Sequence, residues 1–328
     1  MPAAAADSEL IRTAVTLASR APSLHNSQPW RWVTGDGRLH LYLDRSRIVR
    51  NTDTGGREAV IACGAMLDHL VTAMAAAGWS ADVDRFPDPA DGAHLASVAF
   101  TRPGGITSAH RRRADAILRR RTDRLPFLAP PNWPLHESGL RAAVGSGTTS
   151  LDVLAAELRG ELVEASALTE SAQRLNSGYQ AELDWWTAPF EYVEGIPRSS
   201  LTSAHETRRV TVNRTFPAEG HQHRRAHIDA DQAVVLALST PADTYRDALS
   251  CGEALSAVLL ECTAAGLATC PVTHVTEVPA ARAVVGAMLS RPAVPQVLIR
   301  VGRTPEIEET PPMTPRRDIA DILTEPPC

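Results

Sequence analysis

The stretch "RAPSLHNSQPW", Arg20 to Trp30, packs two prolines, two hydroxyls, two amides and an imidazole between what reads as a helix and what reads as a strand. Short hydroxyl and amide side chains bond nearby backbone in Asx and Ser turns, so turn chemistry accounts for them when the stretch stands alone. Converged, the same groups could instead serve the polar edge of a ligand, because they supply donors and acceptors of both kinds. A second concentration lies in "HRRRADAILRRRTDR", His110 to Arg124, where guanidinium forks could grip a phosphate. Asp115 stands at helical spacing from Arg111 and Arg119, and no aromatic is interleaved for base stacking. Arg111 to Arg113 therefore read as a solvated face, and Arg120 and Arg124 as the functional pair. A third cluster, "HQHRRAH", brings His221, His223 and His227 together, but no acidic or cysteine ligand sits in a fitting frame. It reads as a solvated loop, and no metal site is expected.

These groups need a scaffold to hold them. At 328 residues the chain exceeds the usual single domain, so two domains or two fused halves are expected. Apolar content of 44% with 22% charged residues is that of a globular protein with a real core. All 33 basic residues are arginine, which excludes Schiff-base chemistry and a Walker-type phosphate lysine. A net charge of −5 argues against a nucleic-acid or anionic-membrane partner. No run approaches the ~18 apolar residues that span a bilayer, and "MPAAAADSEL" is no signal peptide. The five cysteines are odd in number and without a C-x-x-C, and Cys63, Cys251 and Cys262 read as small core residues. The expected compartment is the cytoplasm. There is no G-x-G-x-x-G, so a Rossmann nicotinamide site is not indicated.

Helices and strands alternate along the chain. Asp7 can cap a helix stopped by Pro22, and "WRWVTGDGRLHLYLD" reads as a hairpin turning at Gly35-Asp36-Gly37. A long helix is expected from Arg57 to Ala77 with Gly78 as its stop, and an arginine-rich helix from Ala109 to Arg120. Another long helix is expected near 160–185, followed by a polar stretch to about 230 and the strands "AVVLALS" and "VPQVLIRVG". Two segments align without a gap, "ACGAMLDHLVTAMAAAGW" (Ala62 to Trp79) and "SCGEALSAVLLECTAAGL" (Ser250 to Leu267). Cys63 meets Cys251, Gly64 meets Gly252, and both end in Ala-Ala-Gly, which favours internal duplication over shared composition.

"APSLHNSQPW" resembles the P-S-x-x-N-x-Q-P-W signature of the flavin-dependent nitroreductase family, matching at Pro22, Ser23, Asn26, Gln28, Pro29 and Trp30. In that family two subunits build two FMN sites, each drawing on both chains. Here "RRTDRLPF" resembles the family's phosphate motif at Arg120, Thr122 and Arg124, but it lies in the second half, which has no polar loop of its own. The complementary halves imply one complete FMN site. The resemblance also places Pro271, Val272, Thr273 and His274 at the segment whose backbone N–H meets flavin N5, and Arg316, with Arg317 beside it, at the phosphate. Leu24 and His25 belong to the polar loop, where His25 either lines the flavin pocket or makes a structural hydrogen bond. The fused, double-length arrangement is most similar to the Acg family of actinobacterial nitroreductase-like proteins.

The resemblance implies an α+β fold of two fused halves, 1–108 and 109–328, each with a mainly antiparallel sheet packed by helices, forming an intramolecular pseudo-dimer. The protein is then expected as a monomer. The segment 186–230 matches the generic pattern poorly. It reads either as a lid anchored by Trp185, Trp186, Phe190 and Tyr192, or as an excursion whose aromatics cover an apolar face. The implied activity is NAD(P)H-dependent two-electron reduction of nitroaromatic or quinone-like acceptors through one FMN, with the chemistry at flavin N5 and no catalytic side chain. The alternative is an FMN-storing protein with little turnover. Lysine being absent, arginine or a helix N-terminus must tune the flavin.

Overall fold

The computed structural model describes residues 6–102, 105–188, 194–216, 224–305 and 313–325; Phe190, Tyr192, His221 and His223 lie outside the described residues. In chain order the elements are α1 Ser8–Ala18, β1 Trp30–Gly35, β2 Arg38–Leu43, α2 Arg57–Ala76, β3 Ser80–Arg85, β4 His94–Thr101 and α3 Ser108–Arg119. There follow α4 Trp133–Val144, β5 Ser150–Leu154, α5 Arg159–Arg174, α6 Ser177–Trp186, α7 Ala204–Arg208, β6 Val234–Thr240 and α8 Tyr245–Ala264. The chain closes with β7 Ala268–Val272, α9 His274–Glu277, α10 Pro279–Ala287, β8 Val294–Gly302, α11 Ile319–Ile322 and β9 Leu323–Thr324. The architecture is α+β, with two mainly antiparallel sheets.

The expected single division at 108/109 is not how the compact units run. One unit gathers the described residues within 1–120, 244–260 and 316–328, and the other those within 121–243 and 261–315.

In the first unit the sheet order is β3-β4-β2-β1-β9. Asp7 caps α1 by accepting from the Leu10 N–H, as its residue type predicts. The β1–β2 hairpin turns through Asp36 and Gly37, both with positive φ, so a two-residue turn matches the strand twist. β9 pairs in parallel with β1 at Trp32 and Val33, which draws the preceding residues of the C-terminal segment past the α1–β1 connection.

Helix α2 is buried nearly all round and crosses the α8 segment at the two glycines that align in the repeat. A Cβ on Gly64 would run into the carbonyl oxygen of Leu249 and lie 3.0 Å from the Gly252 Cα. A Cβ on Gly252 would run into the carbonyl oxygen of Ile61 and lie 2.8 Å from the Gly64 Cα. Ile61 precedes its aligned segment as Leu249 precedes its own, so the contact is reciprocal. Only residues without a side chain allow such backbone approach. Arg57–Ala76 is long and apolar enough to cross a membrane, and it is mostly buried.

In the second unit the order is β5-β6-β8-β7, all antiparallel. Its core includes Phe127, Leu162, Val212, Val235, Val272 and Leu298. Pro271 sits in the edge strand β7, where the missing N–H costs no ladder bond. The single long helix expected near 160–185 is two helices, because Asn176 breaks the pattern and caps α6 through the Tyr179 N–H. Within 186–230 the described residues are fastened into this unit. Buried Glu206 caps α7 with Ser203 and pairs with Arg224 at 3.0 Å, while Val212 joins the core. Trp185 is 61% exposed.

Candidate functional site

The polar loop of the first unit is built around a left-handed backbone. His25, Asn26 and Gln28 have φ of 51°, 63° and 51°, a region that costs non-glycine residues of order 1–3 kcal/mol each. Such a loop persists only when its surroundings hold it, and the bonds that do so are explicit. The Ser23 hydroxyl accepts from the Gln28 N–H at 3.0 Å. Gln28, fully buried, donates from Nε2 to the Asn26 carbonyl at 3.2 Å and accepts the Arg317 N–H on Oε1 at 2.9 Å. Arg317 returns a guanidinium bond to the Gln28 carbonyl at 3.3 Å. Ser23, Gln28 and Arg317 are thus the loop's internal fastening. Pro22, Ser23, Leu24 and Asn26 remain partly exposed, and His25 is buried.

Beside the loop, arginines converge on the carbonyls just past the end of α1. Arg120 donates to the Arg20 carbonyl at 3.0 Å, and Arg316 donates to the same carbonyl at 3.2 Å. Arg316 also reaches the Ser19 carbonyl at 2.8 Å and the Ala21 carbonyl at 3.3 Å. A helix C-terminus carries partial negative charge, which is why guanidinium groups settle there. Burial, with the charges of Arg20 and Arg120 alongside, pulls the Arg316 guanidinium well below its ordinary pKa. The physical content is a strong, desolvated positive potential. Arg120 and Arg316, both assigned to the phosphate from positions far apart in the chain, are together here, and Arg317 is turned to the loop instead of to this cluster. Buried Arg120 and half-buried Arg316, with the charge of Arg20 alongside, are a donor set suited to a dianionic phosphate ester.

Around this cluster lies a buried relay. Arg113 places one nitrogen 2.9 Å from both oxygens of Asp68. The Ser256 hydroxyl donates to Asp68 at 2.5 Å and lies 2.8 Å from His69 Nδ1. Arg113 is therefore half-buried and ion-paired, which corrects its expected place on the solvated face; Arg111 and Arg112 are exposed as expected. Burial, then the charges of Arg120 and Arg113, hold the His69 imidazole well below its ordinary pKa, so it is neutral.

The remaining predicted residues belong to the second unit. Thr122 bridges to Thr269, and the Asp123 N–H donates to the Thr269 carbonyl at 2.9 Å, laying this segment along β7. Asp123 is paired with Arg225 at 2.7 Å, and Phe127 N–H donates to Asp231, which is paired with the fully buried Arg300. Arg124 donates to the Ser200 carbonyl at 3.4 Å and lies over the Phe216 ring at 5.3 Å. Burial, with Arg214 nearby, lowers its pKa. Pro271 and Val272 end β7, Thr273 caps α9, and its hydroxyl bonds Glu277 at 3.2 Å. Buried Arg214 pairs with Glu277 and donates to the Tyr179 hydroxyl at 2.5 Å. His274 Nε2 lies 2.7 Å from the Ser166 hydroxyl, and burial with the Arg214 charge lowers its pKa to about 3.

Sequence reasoning missed Arg20, whose backbone carbonyl joins the two cluster arginines, and His69 with Asp68 and Ser256. Arg20 lay inside the quoted stretch, but a backbone role leaves no side-chain pattern. Asp68 and Ser256 do occupy matching positions of the aligned repeat, a signal available in the sequence once the two helices are laid together.

No family model matches the chain. It is 53% identical over 323 residues, 98% of this chain and 98% of the relative, to the Mycobacterium tuberculosis (strain ATCC 25618 / H37Rv) protein named "Putative NAD(P)H nitroreductase acg". It is 48% identical over 318 residues, 96% of this chain and 92% of the relative, to Rv3127 of the same strain. Among solved structures, the FMN and NADPH-dependent nitroreductase NfnB from Sphigopyxis sp. strain HMH aligns with a TM-score of 0.41 at 19% identity, over 65% of this chain and 97% of that one.

Proposed function

The chain belongs to the family of the mycobacterial acg nitroreductase-type proteins, and from that premise we propose that it binds FMN and uses NAD(P)H to reduce nitroaromatic or quinone-like acceptors. The observation that carries the reading is the meeting of Arg120 and Arg316 on the Arg20 carbonyl. Bound FMN would supply a two-electron carrier that takes up and passes on hydride at N5. The protein's part is to bind and orient. Arg20, Arg120 and Arg316 hold the phosphate, each charge-assisted bond contributing about 1.5–3 kcal/mol. Ser23 and Gln28 fix the loop that presents Asn26, and the loop's left-handed residues are held by Arg317 rather than by the ligand.

Purified protein should show flavin absorption bands. Without oxygen, NADPH should bleach them and a nitroaromatic should restore them; bound flavin that NADPH leaves coloured would instead identify a storage protein. Arg120→Ala and Arg316→Ala should each weaken FMN roughly ten- to a hundredfold while leaving riboflavin, which has no phosphate, nearly unaffected. Equal loss for both flavins would sink the phosphate assignment. Arg124→Ala tests separately whether Thr122, Arg124 and the 271–274 segment serve the same flavin. Loss of FMN with an unchanged melting temperature supports that role, whereas a lower melting temperature alone assigns Arg124 to Ser200 and Phe216.

A further inference from the structure

The relay of Arg113, Asp68, Ser256 and His69 has a direction that the hydrogen-bond inventory fixes. Both oxygens of Asp68 accept from Arg113, and a carboxylate can only accept. The single Ser256 proton therefore goes to Asp68, at 2.5 Å. The Ser256 oxygen must then accept from His69, so Nδ1 carries the imidazole proton. The Ala65 carbonyl, one turn back on α2, also bonds the imidazole. Nε2 is left with its lone pair. It is buried, without a partner, on a side chain with no exposed surface.

A buried acceptor with no donor costs roughly 1–3 kcal/mol. The relay uses four side chains from three helices, α2, α3 and α8, to hold that acceptor in one orientation. The helix carrying it packs against α1, just past whose end the Ser19, Arg20 and Ala21 carbonyls hold Arg120 and Arg316, and against the short turn Leu24–Asn26. We propose that His69 is a ligand-contacting residue, its Nε2 accepting a hydrogen bond from an O–H that the ligand carries next to the anion held by Arg120 and Arg316. The assignment rests on the FMN reading and deepens it. In FMN that O–H is a ribityl hydroxyl or the hydroxyl of a singly protonated phosphate. Guanidinium groups grip any oxyanion, whereas the imidazole lone pair repels one, so His69 makes the site selective for a hydroxyl-bearing phosphate ester over a bare anion.

The test combines ¹⁵N imidazole spectra with flavin affinities. Wild-type protein without flavin should show His69 with a protonated Nδ1 and an Nε2 resonance typical of a bare lone pair. Adding FMN should move that resonance toward a hydrogen-bonded acceptor. An Nε2-protonated tautomer, or an Nε2 already bonded before ligand is added (as donation from Arg120 would give), overturns the proposal. His69→Leu should weaken FMN roughly tenfold and His69→Gln should restore most of it, both judged on variants with native circular dichroism. Unchanged FMN affinity in folded His69→Leu overturns it. Should His69→Leu not fold, Ser256→Ala, which frees the tautomer while keeping the imidazole, should also weaken FMN and blur the ¹⁵N signature; no change in either overturns it. Riboflavin separates the two hydroxyls: equal weakening for both flavins places the contact on the ribityl chain, and weakening of FMN alone places it on the phosphate. If wild-type protein takes neither flavin, the functional reading fails by itself. Inorganic phosphate then decides His69: a shift of Nε2 supports the contact, and a fixed resonance overturns it.

Discussion

Gln28 shows why single residues in the loop were only half legible. Its type and position match a family motif, which marks it for the site, yet its buried amide spends its bonds on Asn26 and Arg317. A motif preserves whatever the fold needs, whether that is a ligand contact or the backbone that shapes one. Gln28→Ala should therefore lower stability by about 1–3 kcal/mol, read as a urea midpoint, even with no flavin present. Two of the buried histidines, His274 and His69, make a second prediction. His274 has a folded pKa of about 3, against about 6.5 in the unfolded chain. Above pH 6.5 neither state holds the proton and stability is flat with respect to this group. Between 6.5 and about 3 the unfolded chain binds a proton that the folded one refuses, so stability falls as pH falls, by at most about 1.4 kcal/mol per unit. His69 is shifted in the same direction and adds to the slope. His274→Gln should flatten this acid limb in denaturation midpoints measured between pH 7 and pH 5, and an unchanged slope would show that other groups dominate it.

At the scale of elements, periodicity and caps were enough to place α1, the β1–β2 hairpin, α2 and α3 within a residue or two, because each carries its own start or stop signal. What periodicity could not show is which helix meets which. The crossing of α2 with α8 became readable only through the Gly64–Gly252 register, and the close approach explains why both positions lack a side chain. Gly64→Ala and Gly252→Ala each set a methyl against a backbone carbonyl, which cannot rotate away, and should cost several kcal/mol or abolish folding. Gly160→Ala is the matching control: nothing lies within 4 Å of the added methyl in the first turn of α5, and it should be neutral or stabilise by up to about 1 kcal/mol. Thermal melts of the three variants decide it. In the second unit, Arg300→Met would leave Asp231 buried with the Phe127 N–H and a distant Arg159 at 3.8 Å. A loss of about 3–5 kcal/mol is expected from that uncompensated charge.

At the scale of the whole chain, length and the internal alignment led to the expectation of two halves, each with a mainly antiparallel sheet, and there are two such sheets among the described residues. The boundaries were not legible, because a linear cut cannot describe units that exchange segments. The first 120 residues lack the α8 turns that cover α2 and the β9 strand that pairs with β1. A fragment ending at residue 120 should therefore be poorly folded by circular dichroism and amide exchange, and regain structure only when the remainder is supplied. Sedimentation should find the intact protein as a single chain; a dimer would show that the resemblance misplaces the family's interface. The Asp68–Ser256 bond has a consequence of another kind. In an assembly of two identical chains, every mutation is written on both sides of the symmetry axis at once, and a carboxylate there must face its own copy. Once the two copies share one gene, drift can change one side and leave the other. A serine opposite an aspartate at aligned positions is a hydroxyl-to-carboxylate contact that two identical positions facing each other could not make.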